Sequence, residues 1–135
     1  MKTFDILLVE DDEDMLIFLH NSLMRAGYNV ISVENAESAL GELSKANFKI
    51  LITDIKLPGI DGLSFVKSLP ESVTKDMSII FITGFNAYEA DAKNLFPENT
   101  TLHKPFHLKS LISKIDEIYS KKHDFAINDD GDDIV

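Results

Sequence analysis

The chain has 135 residues, a length that suits one domain large enough to bury a hydrophobic core. Its 23 acidic and 13 basic residues give a formal net charge of −10, which argues against binding nucleic acid or an anionic membrane surface, because both need clustered Lys and Arg. The chain has no cysteine, which excludes disulfides and thiolate metal sites. Its first apolar run is too short for a secretory signal or a membrane span, so we expect a cytoplasmic protein.

Five apolar runs predict β-strands over residues 4–9, 29–33, 49–53, 78–83 and 100–103. The first, third and fourth runs are almost continuous in Ile, Leu, Val and Phe, which is typical of parallel strands covered on both faces. The fifth run is weaker because Thr and His dilute it.

Helical patterns alternate with these strands. The apolar spacing predicts helices around residues 16–23, around residues 36–43, after Gly62, over residues 86–96 and around residues 108–115. Gly27 is expected to end the first helix. This alternation predicts right-handed βαβ crossovers and an α/β fold with a parallel sheet and helices on both faces.

The last residues lack any apolar period. We interpret residues 1–121 as one domain and residues 122–135 as an acidic, flexible C-terminal tail. The initial Met1 and this tail favour a stand-alone protein over one part of a larger chain.

Polar residues stand at the carboxyl ends of four of the strands: Glu10, Asp11, Asp54, Thr83 and Lys104. Taken singly, such residues are typical of helix caps and turns, and the acids at 12–14 are expected to begin the first helix. Ligands of open parallel sheets bind outside the carboxyl ends of the strands. The five groups together therefore predict one site.

Three gathered carboxylates repel one another, since two unit charges about 4 Å apart cost about 4 kcal/mol at an effective dielectric of about 20. A proton held with a raised pKa could offset this repulsion. A hard divalent cation such as Mg²⁺ could also do so, because it prefers oxygen ligands. Lys104 supplies a further counter-charge. No His or Cys belongs to the set, which disfavours zinc and copper.

A carboxylate beside Mg²⁺, a hydroxyl and an amine suits phosphoryl transfer. Asp54 would attack phosphorus and form an aspartyl phosphate. Mg²⁺ and Lys104 would neutralise charge on the transferring group, and Thr83 would hydrogen-bond one of its oxygens.

These motifs resemble the receiver domain of bacterial response regulators, the CheY-like family, over residues 4 to about 120. The matching motifs are the acid pair after the first strand, the Asp of "LITDIKLPGIDG", the Thr of "FITG" and the Lys-Pro of "LHKPF". The resemblance implies a flavodoxin-like, doubly wound, five-stranded parallel sheet in the order 2-1-3-4-5. It also implies a cis bond between Lys104 and Pro105.

The resemblance also implies the roles of the site residues. Asp54 would receive a phosphoryl group from a histidine of a partner kinase or phosphotransfer protein. Asp11 and Asp54 would bind Mg²⁺ directly, Glu10 directly or through water, and Lys56 through its backbone carbonyl. The surface of residues 86–119 would then contact a downstream partner or a second copy of the chain.

One departure from the family pattern leaves an alternative open. Thr101 stands where an aromatic residue is frequent, three positions before Lys104. The chain could therefore be a receiver-like interaction module that works without phosphorylation. A phosphatase with an aspartyl nucleophile is disfavoured, because Lys56 stands where such an enzyme would place its second acid.

Overall fold

The computed structural model describes residues 1–84 and 100–119. The helix predicted over residues 86–96 and the tail at 122–135 lie outside these ranges. The division of the chain at residue 121 therefore stays a prediction.

One sheet of five parallel strands organises the fold. The strands are β1 (Lys2–Val9), β2 (Val30–Val33), β3 (Ala46–Asp54), β4 (Ser78–Thr83) and β5 (Thr100–His103). Their spatial order is β2-β1-β3-β4-β5. The sequence-based predictions of a parallel sheet and of the order 2-1-3-4-5 are confirmed.

Two strands are longer than the apolar runs predicted. β1 and β3 continue to a pair between Lys2 and Ala46, and the rings of Phe4 and Phe48 stack with centroids 5.6 Å apart. Residues 46–49 alternate between buried and exposed, as expected for a strand with one solvated face. Residues 46–48 therefore do not form a continuous apolar run, and the sequence pattern predicted a strand only from residue 49.

The described helices are α1 (Glu13–Arg25), α2 (Ala36–Leu43), α3 (Gly62–Ser68), α4 (Glu71–Thr74) and α5 (Leu108–Tyr119). Asp12 caps α1 by accepting a hydrogen bond from the amide of Met15 at 3.0 Å, which confirms that the acids after Asp11 begin this helix. Gly27 has a φ of 99°, which suits the chain reversal after α1. α4 was not predicted, because four residues are too few to show a helical period.

The two faces of the sheet carry separate cores. Leu7, Leu51 and Phe81 pack with α2 and α3 on one face. The neighbouring residues Ile50 and Ile80 pack with α1 and α5 on the other face. Helices therefore cover both faces, as predicted, and leave the ends of the strands for the site.

No helix within the described residues could span a bilayer, since none combines sufficient length with a sufficiently apolar sequence.

A tyrosine pair ties the end of α5 to the rest of the fold. Tyr28 is 1% exposed, and its hydroxyl donates to Oδ1 of Asp116. Burial raises the pKa of Tyr28, and Asp116 adds to this effect. The ring of Tyr119 lies 5.3 Å from that of Tyr28 between centroids, and its hydroxyl donates to the carbonyl of Asp5 at 3.4 Å.

Replacing Tyr28 by phenylalanine should lower the free energy of unfolding by about 1.5 kcal/mol, because the carboxylate of Asp116 loses a hydrogen bond from a buried donor. Tyr119→Phe is the matched control. It removes only a long hydrogen bond and should cost about 0.5 kcal/mol. Urea unfolding of both variants compares the two values, and equal losses would contradict this account.

Candidate functional site

Three strands deliver their polar residues to the same edge of the sheet. Glu10 follows β1, and its amide donates to the carbonyl of Val33 at the end of β2 at 3.1 Å. Asp54 ends β3 and pairs in register with Ile82 of β4. Lys104 follows β5. Parallel strands end at one edge, and these pairings place the three side chains there.

Lys104 joins two of the acids. Its Nζ lies 3.1 Å from Oε1 of Glu10 and 3.1 Å from Oδ2 of Asp54. Glu10 is 2% exposed and Asp54 is 7% exposed. The carboxylates of these ion pairs are therefore largely desolvated, and removing Lys104 would leave two poorly compensated buried acids.

The three predicted acids form a cluster. Glu10, Asp11 and Asp54 each offer one carboxylate oxygen, and these oxygens all lie within 4.8 Å of one another. Glu10 and Asp54 are buried, whereas Asp11 is exposed. The cluster thus opens to solvent on the side of Asp11, where an ion could enter.

The pKa shifts of the site residues show how the repulsion between the carboxylates is reduced. Burial raises the pKa of Glu10 to about 7; the charge of Asp54 acts in the same direction, and Lys104 opposes it. Burial alone would lower the pKa of Lys104, but attraction to Asp54 and Glu10 outweighs burial and raises it. Near neutral pH the ammonium is therefore charged, and Glu10 holds a proton part of the time.

The residues present fit a hard divalent cation. Oε2 of Glu10 is buried and has no hydrogen-bond partner among the described residues. Such an orphaned buried acceptor is rare in native proteins. Together with the neighbouring carboxylate oxygens it makes an all-oxygen donor set, which is the type that Mg²⁺ prefers.

The loop after Asp54 is tightly held. The amide of Lys56 donates to Oδ1 of Asp54 at 3.3 Å, and the amide of Gly62 donates to the carbonyl of Ile55 at 2.7 Å. A Cβ atom added at Gly62 would come within 2.3 Å of the backbone oxygen of Asp54. The sequence marked this segment as rich in turns. It gave no sign that the start of α3 would press against the backbone of Asp54.

The remaining predicted residues lie at the ends of β4 and β5. Thr83 is the last residue of β4 and is 1% exposed, and its carbonyl accepts from the amide of Lys104 at 2.7 Å. The bond between Lys104 and Pro105 is cis, as the resemblance implied. Thr101 pairs in register with Phe81 of β4 and is half-buried. The part that the Thr83 hydroxyl plays stays a prediction.

Two curated relatives are similar to this chain in sequence. The chain is 40% identical over 114 residues to the response regulator receiver protein CpdR of Brucella abortus (strain 2308), a match that covers 84% of this chain and 94% of the relative. It is 29% identical over 111 residues to the transcriptional regulatory protein PcoR of Escherichia coli, covering 82% of this chain and 49% of PcoR. The chain thus spans about half the length of the second relative.

Solved structures match the fold. The response regulator protein TrrA of Thermotoga maritima, in complex with Mg²⁺-BeF, superposes with a TM-score of 0.74 at 29% identity and covers 87% of this chain and 99% of its own. The chemotaxis response regulator CheY4 of Vibrio cholerae superposes with a TM-score of 0.75 at 25% identity, and the match covers 87% of this chain and 98% of the CheY4 chain.

The family model for the response regulator receiver domain matches residues 6–116. That span includes the second half of β1, all of β2 to β5 and the whole acid and lysine cluster. With the identity to CpdR over most of both chains, this match shows that the chain belongs to the response regulator receiver domain family of two-component signal transduction.

Proposed function

We propose that Asp54 is the phosphoryl acceptor of this receiver domain. The observation that carries the proposal is the position of Lys104, whose Nζ lies 3.1 Å from Asp54 Oδ2 and 3.1 Å from Glu10 Oε1. A fixed cation beside a buried carboxylate at the sheet edge suits the capture of a negatively charged group. The donor is a phosphohistidine of a partner kinase or histidine phosphotransfer protein.

In the transfer step, a carboxylate oxygen of Asp54 attacks the phosphorus. An O–P bond forms while the P–N bond to the partner's histidine breaks, and the imidazole nitrogen keeps the electron pair of that bond. The ammonium of Lys104 pairs with the incoming phosphoryl oxygens, because it is already held at the acceptor. The Thr83 hydroxyl donates to a phosphoryl oxygen.

We further propose that the acid cluster holds Mg²⁺. The ligands would be Asp11, Asp54, Glu10 directly or through water, and the backbone carbonyl of Lys56. Mg²⁺ would supply positive charge beside the transferring oxygens. The orphaned buried oxygen of Glu10 and the Mg²⁺-BeF complex of the related TrrA support this assignment.

The outcome of phosphorylation is a change in a binding surface. The phosphoryl group adds about two negative charges. A switch from about 1:99 to about 99:1 between two conformations needs about 5.5 kcal/mol of differential stabilisation. We propose that the surface of residues 86–119, of which residues 100–119 are described, binds a downstream protein or a second copy of the chain in response.

Intact mass measured after incubation with Mg²⁺ and acetyl phosphate tests the acceptor. The wild type should gain one phosphoryl group, and Asp54→Asn or added EDTA should abolish the gain. Asp61→Asn is the matched control, since it makes the same change at the N-cap of α3, outside the acid cluster, and should leave the gain intact.

Two results would contradict the proposal. A gain that persists in Asp54→Asn would move the acceptor to another residue. A wild type that gains nothing, even with candidate histidine kinases, would instead favour an interaction module that works without phosphorylation, and Thr101 would then be the first position to vary.

A further inference from the structure

Thr53 is a buried hydroxyl directly before the proposed acceptor. Its exposed fraction is 0%, and the three residues before it in β3 are apolar and equally buried. Its Oγ1 donates to the backbone carbonyl of Asp54 at 2.9 Å. The buried hydroxyl of Thr53 therefore satisfies a backbone acceptor of the next residue.

The carbonyl that Thr53 contacts is enclosed by α3. The Cα of Gly62 lies so close that an added Cβ would come within 2.3 Å of the Asp54 oxygen. This contact covers one side of the carbonyl. A buried carbonyl without a donor costs free energy, and the Thr53 hydroxyl provides a donor at this enclosed place.

Both polar groups of the peptide between Asp54 and Ile55 are thereby held. The carbonyl of Asp54 accepts from Thr53, while the amide of Ile55 donates to the carbonyl of Ile82 at 2.9 Å. A peptide unit is planar and rotates as one body. Two hydrogen bonds at its opposite sides therefore fix its orientation.

We propose that Thr53 is a positioning residue for the acceptor site, an inference that rests on the proposed function. The peptide that Thr53 holds connects Asp54 to the segment in which the amide of Lys56 donates to Asp54 Oδ1 at 3.3 Å. Its orientation thus sets where the Asp54 carboxylate and the Lys56 backbone stand relative to each other. These are two of the groups proposed to hold Mg²⁺.

Two substitutions separate the hydroxyl from the methyl group. Thr53→Val keeps the shape of the side chain and removes the donor, whereas Thr53→Ser keeps the donor and removes the methyl group. The first readout is the dissociation constant for Mg²⁺, followed through the backbone amide resonances of residues 54–56. The second is the rate of phosphorylation by acetyl phosphate at saturating Mg²⁺, per folded molecule.

Thr53→Val should weaken Mg²⁺ binding about three- to tenfold and slow phosphorylation by a similar factor, the size expected from the loss of one hydrogen bond. Thr53→Ser should stay within about twofold of wild type in both. Wild-type values in folded Thr53→Val would overturn the inference. Equal losses in the two variants would also overturn it, because the methyl group would then be the cause.

The readouts also distinguish this inference from the proposed function. If the wild type takes up no phosphoryl group, the proposed function fails, but the ratio of Mg²⁺ affinities still decides whether Thr53 positions the site. If Thr53→Val does not fold, NMR of the Thr53 hydroxyl proton in the wild type tests the inference instead. That proton should exchange slowly with water and couple to the Asp54 carbonyl carbon, and rapid exchange would overturn the inference.

Discussion

Gly62→Ala is expected to lower the free energy of unfolding by about 3 kcal/mol. The new Cβ would lie 2.3 Å from the backbone oxygen of Asp54 and 3.0 Å from the Cα of Ile55. Both neighbours are backbone atoms, so they cannot turn aside as a flexible side chain would. Either α3 or the end of β3 must move, and forced shifts of packed elements cost about 1–3 kcal/mol or more. Equilibrium urea unfolding measures the loss.

Gly41→Ala is the matched control for this substitution. Gly41 lies within α2, and a Cβ added there meets no atom within 4 Å apart from the backbone of its own helix. Since glycine is a poor helix former, this change should stabilise the protein by about 0.5–1 kcal/mol. Opposite signs for the two glycines are the expected result. A Gly62→Ala variant as stable as wild type would contradict the close approach of α3 to Asp54.

In EDTA at pH 8, Glu10→Gln is expected to be more stable than wild type by about 1–3 kcal/mol. Burial and the charge of Asp54 raise the pKa of Glu10 from 4.5 to about 7. As the pH rises between these values, the unfolded chain releases this proton before the native state does. The native state thus loses stability across this interval. Glutamine carries no charge and keeps an oxygen that can accept from Lys104.

The advantage of Glu10→Gln should therefore shrink as the pH falls from 8 to 5, which thermal unfolding at several pH values measures. Glu34→Gln is the control, because Glu34 is exposed and its replacement should leave the pH dependence unchanged. Saturating Mg²⁺ should favour the wild type instead, since a ligand stabilises the state that binds it. A stability gap that stays constant with pH would contradict the burial account.

The fold was predictable because its signals are local. Buried parallel strands are near-continuous in apolar residues, as in residues 78–83, and that prediction matched β4 to the residue. The helices with a clear apolar period, α1 and α5, were also found. α4 and the first residues of β3 were missed, because a four-residue helix and a half-exposed strand carry weak periodic signals.

The site was predictable in its members and less so in its physics. Residues at the carboxyl ends of parallel strands meet at one edge, so Glu10, Asp54 and Lys104 could be grouped before any contact was known. The sequence left open whether a proton or a metal ion offsets the carboxylate repulsion. The structure shows a place for each: a buried Glu10 with a raised pKa, and an orphaned oxygen beside two further carboxylates.

The sequence by itself determined the parallel α/β fold and the cluster of acids and lysine, because alternating periodicity and strand ends are properties of the chain read in order. Only the tertiary structure decided how the acceptor is held. The hydrogen bond from Thr53 to the Asp54 carbonyl depends on a backbone geometry that no residue pattern specifies. The approach of Gly62 to the same carbonyl depends on how α3 packs on the end of β3, which is fixed by contacts between residues distant in sequence.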